Sequence, residues 1–215
     1  MAAITSLREH LVEELHDLMN AEQQLLEALP MMAERASRRD LKAAFKSHLA
    51  ETKKQVQRLE QALRSMGEDT SGTTCDAMKG LLEEGQELMD GAEPGALQDA
   101  MLITAAQKVE HYEIATYGTV RTYAQVVGEK TVARLTTQTL REEKAADKKL
   151  TRIAEGQVNR RAAQEFHQKQ GTAAAAVGMV GKGAEWVGSA VGKVAKRVLP
   201  RGQAADRSAR KRKNR

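Results

Sequence analysis

At 215 residues the chain has room for one domain and an appendage. Hydrophobic residues make up 41% but aromatics only 3%, so a core must be built from Leu, Ala, Val and Met. That composition suits packed helices and excludes a sheet rich in Val, Ile, Tyr and Phe. The net charge of +5 is unevenly spread: residues 1–155 carry more acidic than basic side chains, and 156–215 carry far more basic than acidic ones.

Three prolines, Pro30, Pro94 and Pro200, leave long stretches free for uninterrupted helices. Cys75 is the sole cysteine, so no intrachain disulfide can form, which fits a reducing compartment. The opening MAAITSLREHLVEEL lacks a signal peptide's apolar stretch. No run of about 18 apolar residues is present to span a bilayer. These features together read as a cytoplasmic protein.

In chain order, Ser6 followed by Glu9 forms a capping box. From there Leu7, Leu11, Glu14, Leu18, Glu22, Leu25, Leu29 and Met32 recur at helical steps. The first helix is expected over 6–36, with Pro30 a bend in its last turns. Ser37 is the expected cap of a second helix, with Asp40 in its first turn. Its stripe is Leu41, Phe45, His48, Glu51 or Thr52, Gln55, Leu59, Ala62 and Met66, and Gly67 ends it. A polar loop, EDTSGTT, leads to a short helix over 75–89, stopped by Gly91.

Glu93-Pro94 is expected to open the third long helix. Its stripe runs through Ile103, Ala106, Glu110, Glu113, Tyr117, Val120, Ala124 and Val127. After Gly128 the fourth helix, about 129–155, carries Val132, Thr136, Thr139, Glu143, Ala146 or Asp147, Leu150 and Ile153. Tight turns join helices one to two and three to four, making antiparallel pairs, whereas the link between the pairs is long enough to run the length of a bundle. The expectation is an all-α, ferritin-like four-helix bundle over 1–158, with a long crossover carrying a short extra helix. A basic, Ala/Gly-rich flexible tail is expected over 159–215.

Each long helix places a glutamate where the core stripe calls for an apolar residue: Glu22, Glu51, Glu110 with Glu113, and Glu143. Glu22 lies 15 residues before Ser37 and Glu51 14 after it; Glu113 and Glu143 each lie 15 from Gly128. At 1.5 Å per residue each pair stands about 21–23 Å from its turn, so the carboxylates share one layer. A cluster of buried carboxylates is costly unless protons, cationic side chains or metal offset it. His48, one turn before Glu51, with Lys54 or Lys108 at the edges, is too little positive charge. Two divalent ions would offset four negative charges, and oxygen donors with one histidine suit iron or manganese. A single stripe glutamate reaching solvent is unremarkable; several at matched height call for a partner.

The runs LHDLMNAEQQLLEALPMMAERA (15–36), FKSHLAETKKQVQRLE (45–60), VEHYEIATYGTV (109–120) and LREEKAADKKLTRIAE (140–155) resemble the YciE/YciF-type ferritin-like family of bacterial stress-associated proteins. The resemblance covers 6–155. It implies a ferritin-like core, a homodimer and a role in stress response. Ferritin-like di-iron proteins in general use Glu-x-x-His on two helices. Here Lys54 follows Glu51 and Ala146 follows Glu143 at that spacing, while His48 precedes its glutamate. The general pattern carries over Glu51 and Glu143 as bridging ligands and Glu22 and Glu113 as terminal ones. Glu110-x-x-Glu113 resembles the rubrerythrin-like pairing, and His48, Glu110 and Asp147 complete the candidate set. The missing Glu-x-x-His pair argues against ordinary ferroxidase chemistry.

His10, His16 and His111 read as solvated. Tyr112, Tyr117 and Tyr123 read as packing residues, and Cys75 as a thiol without a motif beside it. Two functions follow. One is a di-metal, iron or manganese stress protein reacting with dioxygen or peroxide. The other is a non-catalytic helical scaffold whose basic tail binds nucleic acid or anionic membrane.

Overall fold

A computed structural model describes residues 3–167, which contain helices and no strand. Four long helices, α1 (Leu7–Arg35), α2 (Arg39–Ser65), α4 (Ala96–Val127) and α5 (Lys130–Ile153), form the bundle, and α3 (Asp76–Asp90) lies in the crossover. Around the bundle the order is α1, α2, α5, α4, with α1 closing against α4; α3 packs on α4 and α1. Neighbours are antiparallel throughout. At one end Arg8, opening α1, reaches the carbonyl of Met66 at 2.7 Å and the Glu129 carboxylate at 3.6 Å. At the other end the 36–38 turn meets Asp99, near the start of α4. The crossover therefore travels the full length of the bundle, the expected ferritin-like connection.

The ends of the helices show where local signals held and where distant residues replaced them. Ser6 caps α1, accepting from the Glu9 N–H at 3.1 Å. The Glu9 carboxylate returns to the N–H of Thr5 at 2.7 Å, not to that of Ser6. Ser37 does not cap α2. Asp99 does so from another helix, its buried carboxylate accepting from the Ser37 N–H at 2.7 Å and the Arg38 N–H at 3.1 Å. Asp40 instead grips the Arg38 guanidinium.

Pro94 lies outside α4, which begins after Gly95. Gly95 has φ 152°, and an added Cβ there would meet the Glu165 carboxylate at 3.2 Å. That carboxylate accepts from the Ala96 N–H at 3.3 Å, satisfying one of the orphan donors of the helix start. Gly128 turns α4 into α5 with φ 85°, a left-handed conformation that a side chain disfavours. The fourth long helix was expected to stop near 155. It passes through a π-helical turn, Ala154–Val158, and helical backbone continues over 159–167. The extra residue of the π turn rotates Val158 into full burial. The basic residues beyond 167 lie outside the described part of the chain.

The core is divided in two. One apolar cluster holds Leu25, Leu29, Met32, Leu41, Phe45 and Leu150 among others. The second holds Leu11, Leu15, Leu18, Leu59, Tyr117 and Val132 among others. On every long helix the residues between the two clusters include buried polar ones: Glu22, then His48, Thr52 and Gln55, then Glu110 and Glu113, then Glu143.

Candidate metal centre

Each side chain of this polar layer stands where the 3.6-residue period of its helix turns inward, in line with the leucines above and below it. Glu22, Glu113 and Glu143 are fully buried, and His48 and Glu110 nearly so. One ligand-type atom from each of His48, Glu110, Glu113 and Glu143 lies within 4.8 Å of all the others. Donors on opposite sides of a metal ion bonded at about 2.1 Å would stand about 4.2 Å apart. The group is thus close to the size of one coordination sphere.

Within the layer, His48 Nε2 stands 3.4 Å from Glu110 and 3.6 Å from Glu143, and its Nδ1 faces Glu51 at 3.6 Å. Tyr117 donates its hydroxyl to Glu22 Oε1 at 2.5 Å. The Gln55 amide donates to Glu143 and, at 3.2 Å, to Glu142, which is also paired with Arg58. Both oxygens of Glu113, both nitrogens of His48, and one oxygen each of Glu22, Glu110 and Glu143 are buried without a hydrogen-bond partner.

Such crowding changes the acidity of every member. Burial first, and the charge of Glu143 second, push Glu22 up to about 8, against the pull of the Tyr117 hydrogen bond. Burial pushes Glu110 up to about 7, although His48 opposes it. Glu113 and Glu143 are held well above the ordinary carboxylate range by burial first; neighbouring carboxylates add to it, and His48 opposes it at Glu143. Burial disfavours a charge on His48, but the nearby carboxylate of Glu51 and those of Glu110, Glu143 and Glu22 outweigh it and lift His48 to about 10. Glu51 is lowered by His48. Four buried carboxyl groups thus face one imidazole. With no other cation they must keep protons, and a bound cation would displace those protons.

The seven sequence candidates do not all converge. His48, Glu110, Glu113 and Glu143 meet, and Glu22 borders them. Glu51 has a side chain 40% exposed and touches the group only through His48. Asp147 points elsewhere, accepting from Gln107 at 3.0 Å and lying 3.4 Å from exposed His111. Of the edge lysines, Lys108 is drawn to Glu84 in the crossover helix. Thr52 takes the inward position that the α2 stripe left open between Glu51 and Thr52. The helical phase carried this signal: at 100° per residue, Glu51 falls about 80° from the line through Leu41 and Leu59, and Thr52 about 20°.

Three contacts escaped the sequence reading. Gln55 and Tyr117 stood in the stripes, yet nothing marked them as partners of Glu143 and Glu22. Cys75 is also not alone. Fully buried, it caps α3 through its sulfur and lies 3.0 Å from Asp17 and 3.2 Å from the Tyr112 hydroxyl. Burial first, then Asp17, keeps that thiol protonated. Asn20 and Gln24 of α1 clamp the same point, bonding the Cys75 N–H at 2.8 Å and its carbonyl at 3.1 Å. This network anchors the crossover helix.

Residues 6–163 match the family described as a domain of unknown function, DUF892. The chain is 45% identical to Protein YciF of Escherichia coli (strain K12) over 149 residues, spanning 69% of this chain and 90% of that protein. The crystal structure of the E. coli stress protein YciF superposes with a TM-score of 0.70 at 42% identity, covering 73% of this chain and 99% of that one. YcfI from Rhodopseudomonas palustris gives a TM-score of 0.68 at 41% identity, over 70% of this chain and 96% of that one. A bundle whose helices, crossover and buried residues follow the YciF-like runs thus agrees with the family match, and the chain belongs to the DUF892 family and is a relative of YciF.

Proposed function

We propose that the buried layer binds two divalent ions, iron or manganese, and that the reduced centre reacts with dioxygen or peroxide during stress. The observation that supports this most strongly is the set of unpartnered donor atoms on five buried, convergent side chains. Native interiors leave few buried polar atoms unpaired, and a cluster of them at one height calls for a ligand. Carboxylates with one imidazole are donors that iron and manganese accept. Two divalent charges would offset the four buried carboxylates.

His48, Glu110, Glu113, Glu143 and Glu22 would hold the ions, with Glu51 and Asp147 as outer members brought in by rotation of their side chains. When bound, the reduced pair supplies electrons for cleaving an O–O bond. The chain's own residues orient the donors: Tyr117 fixes Glu22, Gln55 fixes Glu143, and Glu51 can hold a proton on His48 Nδ1, directing Nε2 inward. The apolar clusters pack against the layer from either side.

Metal analysis of protein purified without oxygen and loaded with Fe(II) or Mn(II) tests this reading. About two ions per chain are expected, falling below half in Glu113→Gln and Glu143→Gln and unchanged in the exposed control Glu13→Gln. Wild-type protein that retains no metal above the level of Glu113→Gln would end the metal reading.

A second reading rests on the basic excess of residues 156–215. In it the protein is a scaffold that joins nucleic acid or anionic membrane through its tail. No described helix is long and apolar enough to cross a membrane. A homodimer and a cytoplasmic location belong to either proposal.

A further inference from the structure

One side of the carboxylate layer opens into an apolar chamber of about 100 Å³. Its walls come from all four long helices: Leu25, Leu29 and Met32 of α1, Phe45 of α2, Val109 of α4 and Leu150 of α5. His48 and Glu110 form its polar end, and each presents a buried atom without a partner. Toward solvent the chamber is lined by Ser47, Glu51, Ala145 and Lys149, where α2 and α5 face each other. Small side chains at Ala145 and Ala146 leave this side of α5 thin.

We propose that this chamber binds a small neutral molecule with a short branched or compact aliphatic body and a single hydroxyl-type head. The volume limits the body. An apolar cavity of about 150 Å³ accepts benzene, so about 100 Å³ takes five or six non-hydrogen atoms. The walls set its polarity, because a chamber of Leu, Met, Phe and Val gives no hydrogen bond to a polar body. The head needs both a donor and an acceptor, since Glu110 offers an oxygen and His48 an imidazole N–H. Charge is disfavoured because burial between these apolar walls strips a charged ligand of its water and gives no hydrogen bond in return.

Water and a bare metal ion gain nothing from the apolar walls, so the chamber selects for an organic ligand. Its head would rest against the proposed reaction centre, so the chamber deepens that reading by naming a substrate class, the neutral short-chain alcohols and alkyl hydroperoxides. The part of the inference that assigns a reactant rests on the metal reading; the binding pocket does not.

The test uses the full chain with isotope-labelled methyl groups, titrated with tert-butyl alcohol as the probe, first metal-free and then with Mn(II). In metal-free protein the methyls of Leu29, Val109 and Leu150 are expected to shift together and saturate in the millimolar range, as a ligand of this size permits. Pivalate and tert-butylammonium, of the same shape but charged, are expected to bind at least tenfold more weakly. Ala146→Leu fills the chamber and is expected to weaken tert-butyl alcohol at least tenfold. Should that variant fail to give a folded spectrum, Ala145→Phe, which covers the exposed mouth, is expected to do the same.

In Mn(II)-loaded protein the paramagnetic ion should speed relaxation of the bound probe, and the filled variant should lose that effect. Absence of a saturable shift, equal affinity in the filled variant, or equal or tighter binding of either ion overturns the proposal. Probe binding in a protein that retains no Mn(II) upholds the chamber and ends the metal reading. Metal retention without probe binding does the reverse.

Discussion

At the scale of single residues, the layer that divides the core is a set of carboxyl groups whose burial is costly unless protons or a cation offset their charge. Glu143 shows this most clearly. It is fully buried, holds one hydrogen bond from Gln55 on one oxygen, and leaves the other unpartnered. In metal-free protein Glu143→Gln replaces a buried acid that must hold a proton with a neutral group of the same shape, so the melting temperature is expected to stay within about 2 °C of wild type or to rise. With Fe(II) or Mn(II) present the same variant should lose the rise in melting temperature that binding gives the wild type. Glu51→Ala should differ. Because Glu51 is partly exposed and its contact is with His48, metal-free stability should fall slightly while metal retention weakens. Thermal melts of the three proteins, with and without metal, check these outcomes. Equal shifts with metal in wild type and Glu143→Gln would show that Glu143 is no ligand.

The same groups predict how stability depends on pH. Glu22, at about 8, and Glu110, at about 7, are raised above the ordinary carboxylate value of 4.5. The folded state therefore keeps protons that the unfolded state has lost. Their contribution is fully present below the unfolded value and is lost as pH rises through the folded values. His48, raised from 6.5 to about 10, adds stability that is fully present below about pH 6.5 and is lost as pH rises from there through about 10, in the same direction as the carboxylates. The melting temperature of metal-free protein should therefore fall between about pH 5 and 8, by several degrees. Metal competes with those same protons, so the loaded protein should show a flatter profile or a rising one. A metal-free profile that rises from pH 5 to 8 would contradict the burial of these carboxylates.

Among the elements, the ends of helices are tied by residues far away in sequence. Asp99 serves two N–H groups at the start of α2, and its own burial raises its pKa while those two bonds lower it. Asp99→Ala would orphan both donors beneath the start of α4. The expected cost is about 1–2 kcal/mol, typical of a lost cap, with Asp99→Asn losing less. Chemical denaturation should show an unchanged slope and a lower midpoint. A neutral Asp99→Ala would mean that solvent reaches the 37–38 turn. Asn20, Gln24 and Asp17 do comparable work for α3, binding the crossover to α1 about midway along its length. The crossover is thereby tied along the face it climbs.

For the whole molecule, the contrast between an acidic bundle and a basic terminus remains the most legible feature of the charge distribution. If the terminus acts as a polyanion-binding arm, counterion release makes its affinity for DNA or anionic vesicles fall steeply with salt. Removing 168–215 should abolish retention on DNA at low salt while leaving the thermal melt of the bundle unchanged. Equal retention by the truncated protein would place the binding surface on the bundle. The two functional proposals are compatible in one chain, because the first uses the centre of the bundle and the second uses residues beyond it.

How much of this was legible beforehand depends on the range of the forces involved. The helices, the paired turns, the crossover and the height of the glutamates follow from periodicity and arithmetic along the chain, since 3.6 residues per turn and 1.5 Å per residue are local properties. The inward position of Glu22, Glu113 and Glu143 was readable for the same reason. Choices between adjacent residues were not. Whether Glu51 or Thr52 faced inward, and whether Asp147 met the centre or Gln107, depended on which helix packed against which face. The cap on α2 came from α4, and the cap on α4 from residue 165, at distances no local pattern encodes. The sequence by itself determined that carboxylates would stand level inside a helical bundle. Only the tertiary structure decided which of them meet, because burial and hydrogen bonding between helices are settled by contacts that form after the chain has folded back on itself.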